Sequence, residues 1–231
     1  MNKLGRFAAA CAAVLCAFGA EAAVLPAEYQ EIEYLQSSGT QYINTGVVPG
    51  AMFGVTARLN TGTYKHESAF FGTDWNTCRY CFRQQSNNFY FYGNSTTICD
   101  VQSDTACTVT IEPTTGSNGT FTFAPDGGTP FSKEVSLVNN ASTTSLRIFG
   151  TGAANRFTSF RVYSFKLYKR ETTEGDEGAV TTDVPQLDLV PCEEKATGVY
   201  GLYDLSRDKF LTNAGTGVFI AGPHVFSSQH A

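Results

Sequence analysis

Thr120-Phe121-Thr122-Phe123 alternates threonine with phenylalanine, and this alternation decides the fold. Successive side chains of a β-strand point to opposite faces, so Phe121 and Phe123 share one face and the threonines share the other. That pattern is typical of an antiparallel strand with one face in the core and one in water. Similar stretches recur along the chain, and no segment carries a convincing helical stripe. The sequence therefore predicts an all-β protein.

Turn residues separate the candidate strands. Ser38-Gly39 and Asp126-Gly127-Gly128 can adopt positive φ at little energetic cost. We predict a two-sheet antiparallel β-sandwich, with strands at residues 29–36, 41–45, 54–59, 69–72, 80–84, 89–92, 107–112, 119–123, 145–149 and 157–168 and short additions at 199–204 and 218–220.

The segment from Phe160 to Tyr168 departs from simple alternation. Phe160 and Val162 begin on one face, but Phe165 and Leu167 have the opposite parity. Either both faces of this strand are buried, or a β-bulge near Tyr163-Ser164 resets the register. The bulge is the favoured interpretation.

The N-terminus has the pattern of a secretory signal peptide. Lys3 and Arg6 precede an apolar run of about a dozen residues, and Ala20-Glu21-Ala22 provides the small residues of a cleavage site. A membrane anchor is the alternative, but a spanning helix needs about 20 apolar residues. We therefore expect residues 1–22 to be removed and the protein to be secreted, periplasmic or on the cell surface.

One domain is predicted for residues 23–222, followed by a C-terminal tail at 223–231. Residues 170–188 are polar, acidic and contain glycine, which predicts an exposed loop within that domain. The net charge is −5, with no lysine or arginine cluster, which argues against nucleic acid and anionic membranes as partners. After signal cleavage we expect no membrane insertion.

Several blocks carry a family resemblance. YQEIEYLQSSGTQYINTG (29–46) and FFG (70–72) come first, then RVYSFKLY (161–168), LVPC (189–192), GVYGLYDL (198–205) and FLTNAGTG (210–217). Together they resemble the laminin G-like, concanavalin A-like lectin-glucanase jelly-roll domains of bacterial secreted or surface proteins. The resemblance implies two sheets packed face to face with the first and last strands as neighbours.

The same resemblance bears on catalysis, because some related jelly-rolls are glucanases with a Glu-x-Asp-x-x-Glu strand. Here Glu31 and Glu33 alternate without a third carboxylate, and Ala179 and Val180 stand where the pattern begun by Glu174 would end. Among the histidines, His224 and His230 fall in the predicted tail, and His66 beside Glu67 is expected to be a solvated pair. The sequence thus predicts that the chain is not an enzyme.

No cofactor is predicted from the motifs, although calcium supports sugar binding in many relatives. The candidate oxygen ligands in loops are Asp74, Asp100, Asp104 and Asp126, and they form no dense ligand string.

Five cysteines follow the signal peptide, and in an exported protein they are disulfide candidates. Pairing is predicted within the group of Cys78, Cys81, Cys99 and Cys107, where Cys99 and Cys107 flank a candidate turn. A four-thiolate zinc site is the alternative, but the spacing of the second pair does not fit it. Cys192 remains as the odd thiol, either buried or available for an intermolecular bond.

The segment from Trp75 to Tyr92 concentrates aromatic and polar residues. Parity predicts Phe89 and Phe91 inward and Tyr90 and Tyr92 outward, and the inward set needs no explanation beyond the core. A sugar offers an apolar face and a hydroxyl edge, which aromatic rings with neighbouring polar groups recognise. The candidate ligand-binding residues are Trp75, Tyr90, Tyr92, Asp74, Asn76 and Arg83.

The favoured functional hypothesis is a non-catalytic binding or adhesion module outside the cytoplasm, with a glycan or a cell-surface protein as its partner. A structural or protein-interaction domain of the cell envelope is the alternative, and a glycan-active hydrolase is disfavoured by the incomplete carboxylate set.

Overall fold

A computed structural model describes residues 25–63, 67–73, 80–85, 88–91, 97–100, 103–115, 118–137, 143–152, 158–175 and 178–226. These residues form strands, turns and loops without any helix, so the predicted all-β class is confirmed. Within the same ranges no helix is long and apolar enough to cross a membrane.

Two antiparallel sheets pack as a sandwich, as predicted. The larger sheet contains β1 (Tyr29–Glu31), β2 (Leu35–Gln36), β4 (Phe53–Asn60), β9 (Ala106–Thr115), β10 (Asn118–Pro125), β11 (Phe131–Ser136), β13 (Arg161–Gly175), β14 (Gly178–Glu194), β15 (Val199–Asp204), β16 (Lys209–Leu211) and β17 (Ile220–Ala221). The smaller sheet contains β3 (Ile43–Asn44), β5 (Ser68–Gly72), β6 (Phe82–Gln85), β7 (Asn88–Phe91), β8 (Thr97–Asp100) and β12 (Arg147–Ile148).

The two ends of the described chain pair with each other in the larger sheet. Strand β17 is antiparallel to β2, and β1 is antiparallel to β14. The pairing continues past the predicted domain end at residue 222, because Val225 donates its backbone N–H to the carbonyl of Glu31 at 2.9 Å. Covering terminal strands in this way protects edges that would otherwise pair with other chains.

Phenylalanine rings fill the space between the sheets. Phe82 of β6 lies 4.7 Å from Phe70 of its own sheet and 5.3 Å from Phe121 of the opposite sheet, measured between ring centroids. Phe89 of β7 makes the equivalent inter-sheet contact with Phe123 at 5.3 Å. All five side chains are essentially inaccessible to solvent. The predicted inward faces of β7 and β10 are therefore confirmed.

Strand β13 contains the bulge that its parity predicts. Its pairing with β4 is regular at Val162, opposite Leu59, and resumes at Ser164, opposite Arg58, so Tyr163 is the extra residue. This insertion lets Val162 and Phe165 both face the core, where each is at most 2% exposed.

The predicted loop at residues 170–188 is wrong, because the described residues of this range, 170–175 and 178–188, lie in strands. Strands β13 and β14 continue as a paired hairpin whose register runs from Phe165–Leu189 to Gly175–Gly178. Composition suggested a loop because most side chains here are exposed, whereas the backbone groups on the facing edges of the two strands pair with each other. We call residues 169–175 and 178–185 the arm.

A buried carboxylate holds the turn between β15 and β16. Asp204 is inaccessible to solvent and accepts hydrogen bonds from the backbone N–H of Asp188 at 3.0 Å and from the Ser206 hydroxyl at 2.7 Å. It also forms an ion pair with Arg207, whose Nη2 donates to the carbonyl of Thr45 at 2.9 Å. Asp204 thus joins the closing turn to β14 and, through Arg207, to the N-terminal segment.

Replacing Phe82 by alanine should lower the free energy of unfolding by about 3–5 kcal/mol, because the cavity lies where the sheets meet. Phe131→Ala is the matched control, since Phe131 is 40% exposed on β11 and its loss should change stability by only about 0.5 kcal/mol. Urea unfolding followed by circular dichroism measures both. Equal losses in the two variants would contradict a core centred on Phe82.

Asp204→Asn should lower the free energy of unfolding by about 2–4 kcal/mol, because hydrogen bonds to a charged acceptor contribute about 1.5–3 kcal/mol each. Asp188→Asn serves as the control, since the Asp188–Lys166 ion pair is exposed and should contribute only about 0–1 kcal/mol. Thermal and urea unfolding at pH 7 compare the two, and a loss of under about 1 kcal/mol for Asp204→Asn would count against its joining role.

Candidate ligand-binding surfaces

Only part of the predicted ligand-binding group falls within the described residues. Asp74, Trp75, Asn76 and Tyr92 lie outside them, so those predictions stay predictions. Arg83 and Tyr90 are described, and they lie opposite each other on β6 and β7, on the outer face of the smaller sheet.

The described pair divides into one buried and one accessible residue. The Arg83 guanidinium lies 5.6 Å from the centroid of the Tyr90 ring, a cation–π arrangement. Arg83 is only 2% exposed, whereas Tyr90 is half-buried. Sequence parity placed Tyr90 on the outer face but carried no information on which neighbouring side chains are covered. Of these two residues, Tyr90 is therefore the one whose side chain a ligand can contact.

A second aromatic surface lies on the outer face of the larger sheet. Arg161 Cζ is 4.8 Å from the Tyr34 ring centroid, and Arg58 Cζ is 5.8 Å from the Tyr163 ring centroid. The two tyrosine rings meet edge to face with centroids 5.8 Å apart. We call these four partly exposed residues the arginine–tyrosine row.

Neighbouring polar groups fix the arginines of this row. Arg161 donates its Nε–H to Gln36 Oε1 at 2.9 Å, and Arg58 donates to both carboxylate oxygens of Asp126, at 2.7 Å for the longer contact. The Arg58 hydrogen bond lowers the pKa of Asp126 from its ordinary value of 3.8, so the pair is charged at neutral pH. The partner of Arg161 is the neutral side chain of Gln36, so this hydrogen bond does not place a negative charge beside the guanidinium.

Sequence analysis missed this row because its members come from three separate segments. Tyr34, Arg58 and Tyr163 become neighbours only when β2 and β4 both pair with β13. Parity within each strand was the available signal, since Leu35 and Val162 face inward and leave their neighbours on the outside.

The described residues contain no disulfide bond. Cys81, Cys107 and Cys192 are inaccessible to solvent, while Cys78 and the Cys99 side chain lie outside the described residues. The predicted pairing of Cys81 or Cys107 with Cys78 or Cys99 therefore stays a prediction. The side chain of Cys81 lies against Gly72, where an added Cβ would approach its sulfur to 2.9 Å.

Two of the titratable groups considered in the sequence, His224 and Glu31, lie on neighbouring paired segments of the larger sheet. The backbone of His224, in the predicted tail, bridges to Ile32, and its Nε2 lies 2.8 Å from Glu193 Oε2. Glu31 is half-buried on β1, and burial raises its pKa from the ordinary value of 4.5. His66 and His230 lie outside the described residues.

For the calcium candidates, Asp74 is likewise undescribed, Asp100 and Asp104 are exposed, and Asp126 binds Arg58. Across the described ranges no three His, Cys, Asp or Glu side chains converge as metal ligands do. A role for calcium stays an untested implication of the family resemblance.

No protein-family model matches the sequence, and no curated protein matches it either. Two solved structures show a distant likeness. A scytalido-glutamic peptidase with a peptide-based transition-state analogue has 12% identity and a TM-score of 0.29 over 85% of this chain and 100% of that one. SCP-B, a member of the eqolisin family of peptidases in complex with the tripeptide Ala-Ile-His, has 13% identity and a TM-score of 0.27 over the same shares.

These matches contradict the prediction that the chain is not an enzyme, because both matched proteins are peptidases, and that prediction is withdrawn. Its basis was too narrow: an incomplete Glu-x-Asp-x-x-Glu pattern argues against glucanase chemistry and leaves peptidase chemistry unaddressed. Since the TM-scores are 0.29 and 0.27, the likeness assigns neither an activity nor a catalytic residue to this chain.

Cys192 should resist alkylation in the folded protein. Burial raises the pKa of its thiol to about 12, so only about one molecule in 10⁴ carries the reactive thiolate at pH 8. Iodoacetamide labelling followed by peptide mass spectrometry should detect no modified Cys192 under native conditions and complete modification in denaturant. Rapid native labelling would show that this side chain is accessible.

Proposed function

We propose that this protein is an extracytoplasmic binding or adhesion module that recognises glycans through the outer face of its larger sheet. The observation that carries the proposal is the arginine–tyrosine row, in which Tyr34 and Tyr163 present partly exposed rings beside Arg58 and Arg161. Export is supported by the pattern of residues 1–22.

The chemistry of the row suits a sugar. An aromatic ring packs against the apolar face of a pyranose, and adjacent guanidinium groups donate hydrogen bonds to its hydroxyl edge. Gln36 and Asp126 restrain the two arginines before any ligand arrives, which reduces the conformational entropy lost on binding. Tyr90 on the smaller sheet offers a second, separate aromatic surface.

A protein-interaction role in the cell envelope is the second candidate. It is favoured by the arm, where Val180 is 55% exposed and Val184 is 36% exposed. The two roles use different surfaces and are therefore separable by mutation.

A glycan array with the purified protein, with and without calcium, tests the first proposal. Tyr163→Ala should raise the dissociation constant of any glycan hit about tenfold, because a stacked aromatic ring contributes about 0.5–1.5 kcal/mol beyond its buried area. Tyr163→Phe keeps the ring and should retain most of the affinity. Calorimetry with the best hit measures both variants.

Tyr90→Ala is the matched control, because Tyr90 is also half-buried beside an arginine, but on the opposite sheet. It should bind as the unmodified protein does. Loss of binding in Tyr90→Ala alone would move the site to the smaller sheet, and an array without any binding would remove the glycan proposal.

A further inference from the structure

The arm extends beyond the sandwich as a two-stranded ribbon. Strand β13 pairs with β4 only as far as Lys169, opposite Phe53, and β14 pairs with β15 only from Leu189 onward, opposite Asp204. Beyond those points the described residues of the arm pair with each other, apart from Arg170, whose backbone N–H donates to the carbonyl of Met52 at 2.8 Å. The β14 edge and the part of the β13 edge beyond Arg170 are therefore available for further backbone hydrogen bonds.

The base of the arm is firmly anchored. Arg170 forms a bidentate pair with Asp183, at 2.8 and 2.9 Å, and donates its Nη1–H to the carbonyl of Pro113 at 2.7 Å. The Arg170 hydrogen bond also lowers the pKa of Asp183. An isolated two-stranded ribbon is marginally stable in water, so this anchor supports the base but leaves the outer part of the arm without a packed face.

The two edges of the arm differ in charge. The β13 side carries Lys169, Arg170, Glu171 and Glu174, whereas residues 178–184 of β14 carry only Asp183. Charged residues on an edge strand discourage pairing with another chain, so the β13 edge is protected. The β14 edge lacks this protection.

The β14 edge is also rich in residues that favour the β-strand conformation. Val180, Thr181, Thr182 and Val184 are β-branched and favour extended backbone. Val180 and Val184 lie on the same face of the ribbon and are 55% and 36% exposed.

We propose that residues 180–184 of β14 pair antiparallel with the same residues of a second copy of this chain, so that two arms form one four-stranded ribbon. The occupant is a second copy because the segment is complementary to itself. A two-fold axis through Thr182 places Val180 opposite Val184 of the second copy on one face, and Asp183 opposite Thr181 on the other. Each copy thus contributes valines to the same apolar strip, and the carboxylates do not face each other.

Sedimentation equilibrium of the purified protein from about 1 to 100 µM tests this pairing. The expected result is a dimer at the higher concentrations. Val180→Lys should raise the dimer dissociation constant about tenfold or more, since it places charge on the pairing edge. A protein that stays monomeric throughout would overturn the proposal and leave the edge to another protein's strand or to none.

Thr173→Lys is the matched control, because Thr173 lies directly across the ribbon from Val180 but belongs to the β13 edge. It adds the same charge to the same face and should leave the dimer intact. If both lysine variants dissociate equally, or if neither does, the interface is not the β14 edge.

A cysteine cross-link locates the two-fold axis. Thr182→Cys should form a covalent dimer under mild oxidation, because directly opposed residues of antiparallel strands have Cβ atoms about 4.5–5.5 Å apart, within reach of a disulfide after small adjustment. Thr172→Cys on the other strand should remain monomeric on non-reducing gels. Efficient cross-linking through Thr172→Cys instead would overturn the assignment.

Discussion

Contact between phenylalanine rings of the two sheets is the interaction on which the rest of the structure depends. Phe82 and Phe89 of the smaller sheet meet Phe121 and Phe123 of the larger sheet at centroid distances of 5.3 Å. Since alternate residues of a strand point in opposite directions, fixing these rings inward also fixes which residues point outward. Tyr90 is on the surface for the same reason that Phe89 and Phe91 are in the core.

The outer faces of the two sheets have different chemical character. On the smaller sheet, Arg83 is almost fully buried beside Tyr90. On the larger sheet, the arginine–tyrosine row is partly exposed, and its arginines are restrained by Gln36 and Asp126. This arrangement favours ligand binding, because the two guanidinium groups are already oriented by their hydrogen bonds and are still accessible to a ligand. The row therefore supports glycan binding better than Arg83 and Tyr90 do, which are the described part of the region that the sequence favoured.

The arm follows from the same strands that build the larger sheet. Strands β13 and β14 are longer than their neighbours, so their ends leave the sandwich together and expose two edges. Arg170 fixes the direction of departure through Asp183 and Pro113. The proposed surface for a second copy and the proposed surface for a glycan thus lie on one sheet without sharing residues.

The sequence by itself determined the strand class, the inward faces of β7 and β10 and the bulge at Tyr163, because each depends on the two-residue period of an extended chain. It did not determine which side chains outside the core are covered, as Arg83 shows. It also missed the arm, because exposure on both faces makes paired strands resemble a loop in composition. Only the tertiary structure brought Tyr34, Arg58 and Tyr163 together, since their proximity depends on pairing between distant strands and is absent from any local pattern.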